Sequence, residues 1–444
     1  MTFGGTDRFL ARQFHACFRW TIVALLSFAG LAGCEGGPTV SDSTIKGYPW
    51  NGVDAELSHA CALAKGAAYC WGNNVHGQLG VVGQNTSAEP IKVNSGLRFT
   101  DIGVGNGYSC GLAEDGQIYC WGNNLWGQLG RVTESSGPYS TPMAIDGGRT
   151  YSALAVGYLF ACGIAETPNS EMGAAFCWGR NTFGQIGTGE SEGAGSFSTP
   201  QPVAGELVFS SISAGAHHAC AITEDETAYC WGRNDLGQLG ADPAVTATSA
   251  QPIKVSEVRS FKTISAGGYN SCGIAPSGFG FCWGSNKYGQ LGNGEFGPFL
   301  LEHEPVGLDY PHPLSDIAVG FHFACAVRDP QISVQQSVFL CWGLNVDGQL
   351  GNSQPSELCD AVSAAPCMPS PMPVSAPSSR PDAMSLPNYN DQFDFSVTAG
   401  IRMACGLSHS LSSRHSALHC WGSGPLGDGS ELDSEIPVRV AHPN

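Results

Sequence analysis

The chain has 444 residues, of which 60 are glycine and 18 are cysteine, and only 13% are charged. Hydrophobic residues make up 42% of it, which excludes an intrinsically disordered protein, because such chains combine few apolar residues with high net charge. The net charge of −18 argues against a nucleic-acid-binding surface, which needs clustered Lys and Arg to neutralise phosphates. A glycine content about twice the usual ~7% indicates many tight turns and favours an all-β protein.

The N-terminal segment has the pattern of a bacterial export signal. Basic residues precede an apolar run over residues 20–32, which is too short to span a membrane as a helix and is typical of a secretory signal. The run ends in Leu-Ala-Gly-Cys, which resembles the bacterial lipobox and implies cleavage before Cys34 and lipidation of its thiol. We therefore expect residues 1–33 to be a lipoprotein signal peptide and residues 34–49 to be a tether.

A repeated unit fills the rest of the chain, residues 50–444. The tripeptide Cys-Trp-Gly occurs seven times, and six copies are followed by Asn and then by Gly-Gln-Leu-Gly or Gly-Gln-Ile-Gly. The copies begin at Cys70, Cys120, Cys177, Cys230, Cys282, Cys341 and Cys420. Short apolar segments separated by turn residues predict β-hairpins, with four strands in each unit. Four strands repeated seven times predict a seven-bladed β-propeller of four-stranded blades.

The ends of the repeat region predict how the ring closes. The first unit lacks an initial strand within its own frame, and we expect residues from about 44 to 56 to supply it. One blade is then assembled from both chain ends, so that N- and C-terminal strands close the ring. The sixth repeat carries a long insertion, residues 352–396.

The repeat frame also resembles a known family. The order Ala-Gly, Cys-x-Leu, Tyr-Cys-Trp-Gly-x-Asn and Gly-Gln-Leu-Gly is similar to the regulator-of-chromosome-condensation repeat, whose members are seven-bladed propellers. The resemblance implies the fold. It does not imply the family's nucleotide-exchange activity on a nuclear GTPase, because this chain carries a bacterial export signal and fold does not determine function.

Cys17 lies in the predicted signal peptide and Cys34 is the predicted lipidation site. The remaining sixteen cysteines fall into pairs. In each unit two cysteines flank a predicted hairpin, where directly opposed residues have Cα atoms about 4.5 Å apart, and export favours oxidation. We expect these disulfides: Cys61–Cys70, Cys110–Cys120, Cys162–Cys177, Cys220–Cys230, Cys272–Cys282, Cys325–Cys341, Cys405–Cys420 and, in the insertion, Cys359–Cys367. Free buried thiols and a metal site are the alternatives, but metal ligands must converge on one point and these pairs are spread one to a unit. We expect no metal and no cofactor.

Two motif matches suggest enzymatic chemistry, and their context argues against both. Residues 107–111 match the Gly-x-Ser-x-Gly pattern of serine hydrolases, but that motif requires a strand-to-helix turn and Ser109 lies in a predicted strand. Residues 292–297 match a dinucleotide-binding fingerprint without the helix that must follow it. We therefore expect no catalytic activity. Glu56 is an oddity, because it occupies a position where other copies have Gly.

Positions that vary between copies are the candidates for partner binding. Equivalent positions of a propeller lie on one ring, and aromatic residues are enriched at interface hot spots. Two residues after the repeated Asn the chain carries His76, Trp126, Phe183 and Tyr288, and just before the first cysteine of each pair it carries His59, Tyr108 and His218. The alternative is that these side chains are buried under neighbouring loops.

Together these observations predict an exported, lipid-anchored and non-catalytic scaffold that binds a protein partner. We expect it at the bacterial cell envelope, at the outer membrane or the cell surface. Its only expected contact with the membrane is the lipid anchor. The alternatives are an inhibitor of a secreted or periplasmic enzyme and a carbohydrate-active or carbohydrate-binding propeller. A carbohydrate-active enzyme needs two carboxylates converging at the axis, and the repeats contain no such pair in frame.

Overall fold

The computed structural model describes residues 50–135, 137–167, 170–190, 195–329, 339–353, 357–360, 365–375, 393–410 and 416–442. The predicted signal peptide, Cys34 and the tether lie outside the described residues, as does much of the insertion. Every regular element in the described part is a β-strand. Among these residues, no helix has the length and apolar character needed to cross a membrane.

Each sequence repeat forms four antiparallel strands, which we number by unit from 1 to 7. Units 1 to 3 contain β1 (Trp50–Ala55), β2 (His59–Ala64), β3 (Ala67–Asn73), β4 (Thr86–Lys92); β5 (Phe99–Gly105), β6 (Tyr108–Ala113), β7 (Ile118–Gly122), β8 (Tyr139–Ala144); β9 (Tyr151–Val156), β10 (Phe160–Thr167), β11 (Ser170–Arg180) and β12 (Ser196–Pro202). Units 4 and 5 contain β13 (Phe209–Ala214), β14 (His218–Thr223), β15 (Ala228–Arg233), β16 (Thr248–Lys254); β17 (Thr263–Ala266), β18 (Asn270–Ile274), β19 (Gly280–Ser285) and β20 (Leu301–Gly307). Units 6 and 7 contain β21 (Leu314–Val319), β22 (Phe323–Arg328), β23 (Phe339–Leu344), β24 (Glu357–Asp360), β25 (Ala365–Pro373); β26 (Phe393–Ala399), β27 (Met403–Ser410), β28 (Ser416–Gly422) and β29 (Ser434–Arg439).

Strands within a unit pair in chain order. Two irregularities occur: one pairing, Gly173 with Phe209, joins units 3 and 4 into a single sheet, and β24 from the insertion adds to the edge of β25 in unit 6. β1 supplies the first strand of unit 1, within the range expected for it. The expectation that one blade combines both chain ends is wrong for the described strands, because β26–β29 already give unit 7 four strands of its own.

The paired cysteines lie directly opposite each other on the second and third strands of every unit. Their Cα atoms are 4.0 to 4.1 Å apart, near the ~4.5 Å of a non-hydrogen-bonded antiparallel pair. The eighth pair, Cys359 and Cys367, joins β24 to β25 with Cα atoms 5.8 Å apart. The structure therefore joins all eight predicted pairs as disulfides, one across the central hairpin of each unit and one in the insertion.

The hydrophobic core lies between units rather than inside them. Leu63 and Leu79 of unit 1, for example, pack in one cluster with Phe99 and Trp121 of unit 2. Units 1 and 7 share a cluster in the same way: Trp50, Tyr69 and Trp71 pack with Met403, Leu407 and Leu418. Since each sheet buries a face against its neighbour, variable side chains are left to the ends of the strands.

Candidate functional site

The repeated Trp side chains connect neighbouring units. Trp121, for instance, is fully buried, and its indole Nε1 donates a hydrogen bond to the Gln78 carbonyl oxygen of unit 1 at 2.8 Å. Trp178, Trp231, Trp283, Trp342 and Trp421 each make the equivalent bond at 3.0 Å. Packing between units is therefore the role of these side chains.

The repeated Asn and Gln side chains hold the loop after the third strand. Asn124 Oδ1 accepts a hydrogen bond from the Leu129 backbone N–H at 3.0 Å, and Gln128 Oε1 accepts one from the Trp126 N–H at 2.8 Å. Corresponding bonds recur in units 1 and 3 to 6. The repeated Asn therefore satisfies backbone groups in this turn, and Gln plays a similar part.

Three of the predicted partner-binding residues are buried. His59, Tyr108 and His218 have no exposed surface, so they do not lie on a rim. The reason is strand alternation: a residue two positions before a cysteine points to the same side of the sheet, which packs against the next unit. Tyr108 Oη donates to the Phe160 carbonyl oxygen of the next unit at 2.6 Å. The prediction of an exposed ring at this position is wrong.

Two of these buried residues form His–Ser contacts. His59 Nε2 lies 2.9 Å from Ser109 Oγ, and His218 Nε2 lies 2.8 Å from Ser271 Oγ. Ser109 Oγ donates its proton to the Gln78 carbonyl oxygen at 2.9 Å, so the hydroxyl accepts from the imidazole rather than being activated by it. Burial lowers the pKa of both His59 and His218 to about 3, which keeps the rings neutral. The serine of the Gly-x-Ser-x-Gly match is thus part of the packing.

A cavity of about 240 Å³ lies where the first strands of all seven units meet. Five glycines line it at one level and allow neighbouring backbones to touch: Gly157, Gly215, Gly267, Gly320 and Gly400. Gly105 of unit 2 contacts the Gly157 backbone in the same way. A Cβ on Gly267 would collide with the Gly320 carbonyl oxygen, which instead accepts a hydrogen bond from the Gly268 N–H at 3.0 Å. In unit 1 the equivalent of these glycines is Glu56, so at this level of the cavity unit 1 has a side chain where the other units have none.

Asp54 connects three units at the cavity. Its carboxylate accepts hydrogen bonds from the Val104 N–H of unit 2 at 2.8 Å and from Thr398 Oγ1 of unit 7 at 2.7 Å. A third bond, at 2.9 Å, comes from the Ala55 N–H. Burial raises the pKa of Asp54 to about 6, against the effect of these donors, so the group is largely ionised at neutral pH.

Glu56 follows Asp54 by two residues, just past the end of β1, and also lines the cavity. Burial, and then the charge of Asp54, raise the pKa of Glu56 to about 8, so this carboxyl is protonated at neutral pH. Two carboxyl groups with separated pKa values are what a carbohydrate-active enzyme would need. However, both oxygens of Asp54 already accept hydrogen bonds, and the two residues share one wall instead of facing each other across the cavity. Asp54 therefore holds strands of different units together.

One end of the cavity opens among aromatic side chains. We call this set the aromatic arc: Trp126, Tyr158, Phe183, His217, Tyr269, Tyr288, Phe321 and His322, all partly exposed. Tyr158 and Phe321 line the cavity and lie 6.4 Å apart between ring centroids. Further contacts join the arc: Phe183 to His217 at 5.1 Å, Tyr269 to Phe321 at 5.1 Å, and Tyr288 to His322 at 5.2 Å. The arc spans units 2 to 6.

Three cations lie over the rings of the arc. Arg180 is 4.9 Å from the Trp126 centroid, Arg233 is 5.0 Å from that of Phe183, and Lys287 Nζ is 4.7 Å from that of Tyr288. Asp235 pairs with Arg233, its Oδ1 accepting from Nε at 2.8 Å. Burial first, and these cations second, lower the pKa of His217 and of His322 to about 4, so both rings are uncharged. The arc is a net positive region on an acidic chain.

The predicted partner-binding set and the arc overlap in part. Trp126, Phe183 and Tyr288 belong to the arc, and His76 is exposed at the same end of its sheet. Five members of the arc were not predicted from the sequence: Tyr158, His217, Tyr269, Phe321 and His322. Each lies one or two residues before the buried position that His59, Tyr108 and His218 occupy in their units. Within the described part, no three His, Cys, Asp or Glu side chains are grouped to hold a metal.

Repeated four-stranded sheets around a central cavity define the class of β-propellers. Residues 36–326 match the RCC1-like domain, so this chain belongs to the RCC1-like domain family.

Relatives agree with this assignment. The ultraviolet-B receptor UVR8 of Arabidopsis thaliana is 27% identical over 401 residues, which cover 87% of this chain and 81% of that protein. The E3 ubiquitin-protein ligase HERC2 of Homo sapiens is 28% identical over 93% of this chain, but the match spans only 8% of HERC2. The crystal structure of Prp20p from Saccharomyces cerevisiae, studied for its binding to Gsp1p and histones, has a TM-score of 0.66 and 19% identity, and the match covers 89% of this chain and 88% of Prp20p. That likeness shows the fold.

Proposed function

We propose that the seven units form a closed, seven-bladed ring. Three observations support this: the cavity is lined by the first strands of all units, Asp54 binds strands of units 2 and 7, and a shared hydrophobic cluster packs unit 1 against unit 7. In this proposal side-chain packing closes the ring, without a strand exchanged between the ends.

We propose that the protein is a non-catalytic scaffold that binds a protein partner through the aromatic arc. The observation that carries the proposal is the arc itself, in which aromatic rings and arginines contact one another at one end of the axial cavity. Tyr, Trp and Arg dominate interface hot spots because they bury large area with little loss of side-chain entropy. Protein binding is also what the Prp20p study names for that propeller. Inhibition of a secreted or periplasmic enzyme would be one form of such binding.

We further propose that the scaffold is exported and held at the bacterial cell envelope by a lipid on Cys34. The lipobox-like sequence before Cys34 and the disulfide in every unit, which suits an oxidising compartment, support this. Radiolabelled palmitate should appear in the expressed protein and be absent from the Cys34→Ala variant. Equal labelling of the two would disprove the anchor.

Partner binding can be tested by capture from an envelope extract. The bait is the chain without residues 1–34, as wild type, as Tyr269→Ala, and as Phe279→Ala. Phe279 is a matched control, because it is 43% exposed in the same unit but at the opposite end of β18. We expect a protein that wild type and Phe279→Ala retain and Tyr269→Ala loses, with all three baits unfolding at similar temperatures.

Other outcomes refute the proposal. Retention that is equal for Tyr269→Ala and wild type would move the binding surface away from the arc. Retention of no protein, together with binding on a glycan array, would favour the carbohydrate-binding alternative.

A further inference from the structure

We propose that the partner presents an acidic peptide segment to the aromatic arc, with a carboxylate placed against Arg180 and apolar side chains placed on the rings. This inference rests on the proposed protein-binding function and names the chemistry of the partner at that same face.

The arginines are already oriented for such a ligand. Arg180 lies over the Trp126 ring, and its Nε donates to Thr182 Oγ1 at 3.0 Å, so both contacts fix the plane of the guanidinium. Arg233 lies between two rings, 5.0 Å from Phe183 and 5.5 Å from Tyr269. A guanidinium held over a ring still presents N–H groups that can meet carboxylate oxygens in pairs. Little side-chain entropy is then lost on binding.

Arg233 also shows that the site accepts a carboxylate. Its Nε and Nη2 both donate to the Asp235 carboxylate in a fork-to-fork pair. The Nε of Arg180 already donates to Thr182, so an incoming Asp or Glu would meet the two Nη groups of Arg180 instead. Asp235 pairs with Arg233 beside the arc, where Arg180, Arg233 and Lys287 carry positive charges over the rings. The neutral rings of His217 and His322 add no charge, so the region remains positive.

The overall charge of −18 does not prevent this binding. Charges beyond about 8 Å are largely screened at physiological ionic strength, so a bound segment responds mainly to the arc. The same overall charge disfavours long polyanions such as nucleic acid, which would extend past the arc onto acidic surface. The rings favour a peptide that carries apolar side chains between its acids. A short, mixed acidic and apolar segment fits both features.

The test uses the full chain and two fluorescein-labelled probe peptides of equal length. One repeats Asp-Phe-Glu-Leu three times, and the other replaces every Asp by Asn and every Glu by Gln. We expect fluorescence anisotropy to give at least tenfold tighter binding for the acidic peptide. Arg180→Gln should weaken that binding five- to tenfold and leave the amide peptide unaffected.

Arg259→Gln is the matched control. Arg259 also lies over a ring, 4.0 Å from the Phe281 centroid, but at the opposite end of β17 from the arc. Its removal should leave the affinity for the acidic peptide unchanged. An equal loss in both arginine variants would mean that net charge rather than the arc attracts the peptide, and would overturn the inference.

The failure of this inference is distinguishable from failure of the proposed function. If Tyr269→Ala loses the envelope partner while the two peptides bind equally and Arg180→Gln has no effect, the arc binds a protein by other chemistry and the acidic segment is refuted. If Tyr269→Ala keeps the partner, the proposed function itself fails.

Discussion

Replacing Glu56 by Gln tests whether the axial cavity holds a carboxyl group at a thermodynamic cost. The pKa of Glu56 rises from 4.5 to about 8 in the folded protein, because burial and the charge of Asp54 disfavour ionisation. Between pH 4.5 and 8 the folded state therefore binds more protons than the unfolded state, and the free energy of unfolding falls as pH rises. The stabilising effect of protonation is complete below pH 4.5 and is lost on passing pH 8.

The size of the effect follows from the two pKa values. At ~1.36 kcal/mol per pH unit, the wild type loses up to about 5 kcal/mol of stability between these limits, while the Gln variant, which has no charge to bury, does not. An unfolding entropy of roughly 2.1 cal/mol/K per residue, summed over ~395 residues, converts this to about 6 °C in melting temperature. The expected difference is within reach of ordinary thermal scans.

The assay is thermal unfolding of wild type, Glu56→Gln and a surface control, Glu304→Gln, from pH 4 to 9. The melting temperatures of wild type and Glu56→Gln should coincide at pH 4, diverge above pH 5 and differ by a constant amount above pH 8, with the variant more stable. Glu304 is exposed on β20, so its variant should follow wild type throughout. Parallel curves for wild type and Glu56→Gln would refute the reasoning, and so would a variant that is less stable than wild type at pH 9.

Three further predictions concern the framework. Gly267→Ala should lower the free energy of unfolding by about 1–3 kcal/mol in a urea titration, because the new Cβ collides with the Gly320 carbonyl oxygen. Gly96→Ala is the control and should be neutral, because nothing lies within 4 Å of its added Cβ. Trp283→Phe should be about 1 kcal/mol more destabilising than Trp71→Phe, because the Trp71 Nε1, unlike that of Trp283, makes no hydrogen bond; equal losses would contradict this. Ellman titration of the denatured, unreduced protein should detect no thiol from the sixteen described cysteines, and several free thiols would contradict the disulfides.

Features that repeat locally were accessible to sequence analysis. The four strands of each unit, the opposed cysteines and the turn role of Asn follow from spacings of a few residues, and strand pairing is set by such local patterns. One unit departs from the repeat pattern. Unit 7 has Pro425 where other units have Gln, and it is there that the next Trp, Trp71 of unit 1, lacks the usual hydrogen bond. A degenerate copy thus marks the weaker contact.

Contacts between distant units were not accessible. Asp54 accepts its hydrogen bond from Thr398 across 344 residues of sequence, and no local pattern identifies that partner. Glu56 was noticed because it breaks the glycine frame, but its perturbed pKa depends on burial and on Asp54, which only the assembled strands provide. The same limit explains the error about closure, since packing of unit 1 on unit 7 leaves no signature in either sequence.

The misplaced binding residues follow from the register of the turn between the first and second strands. In unit 6 the turn begins at Gly320, which packing against unit 7 requires to be small, and ends at Phe323, which is fully buried. The two residues between them, Phe321 and His322, are partly exposed and belong to the arc. Phe323 occupies the repeat position at which His59, Tyr108 and His218 were predicted to bind a partner. Because a shift of one residue moves a side chain to the other face of a strand, that position lies in the core instead of on the surface. In unit 6 the two residues after the axial glycine are therefore surface positions that can vary without disturbing the core, and partner specificity is expected at such positions.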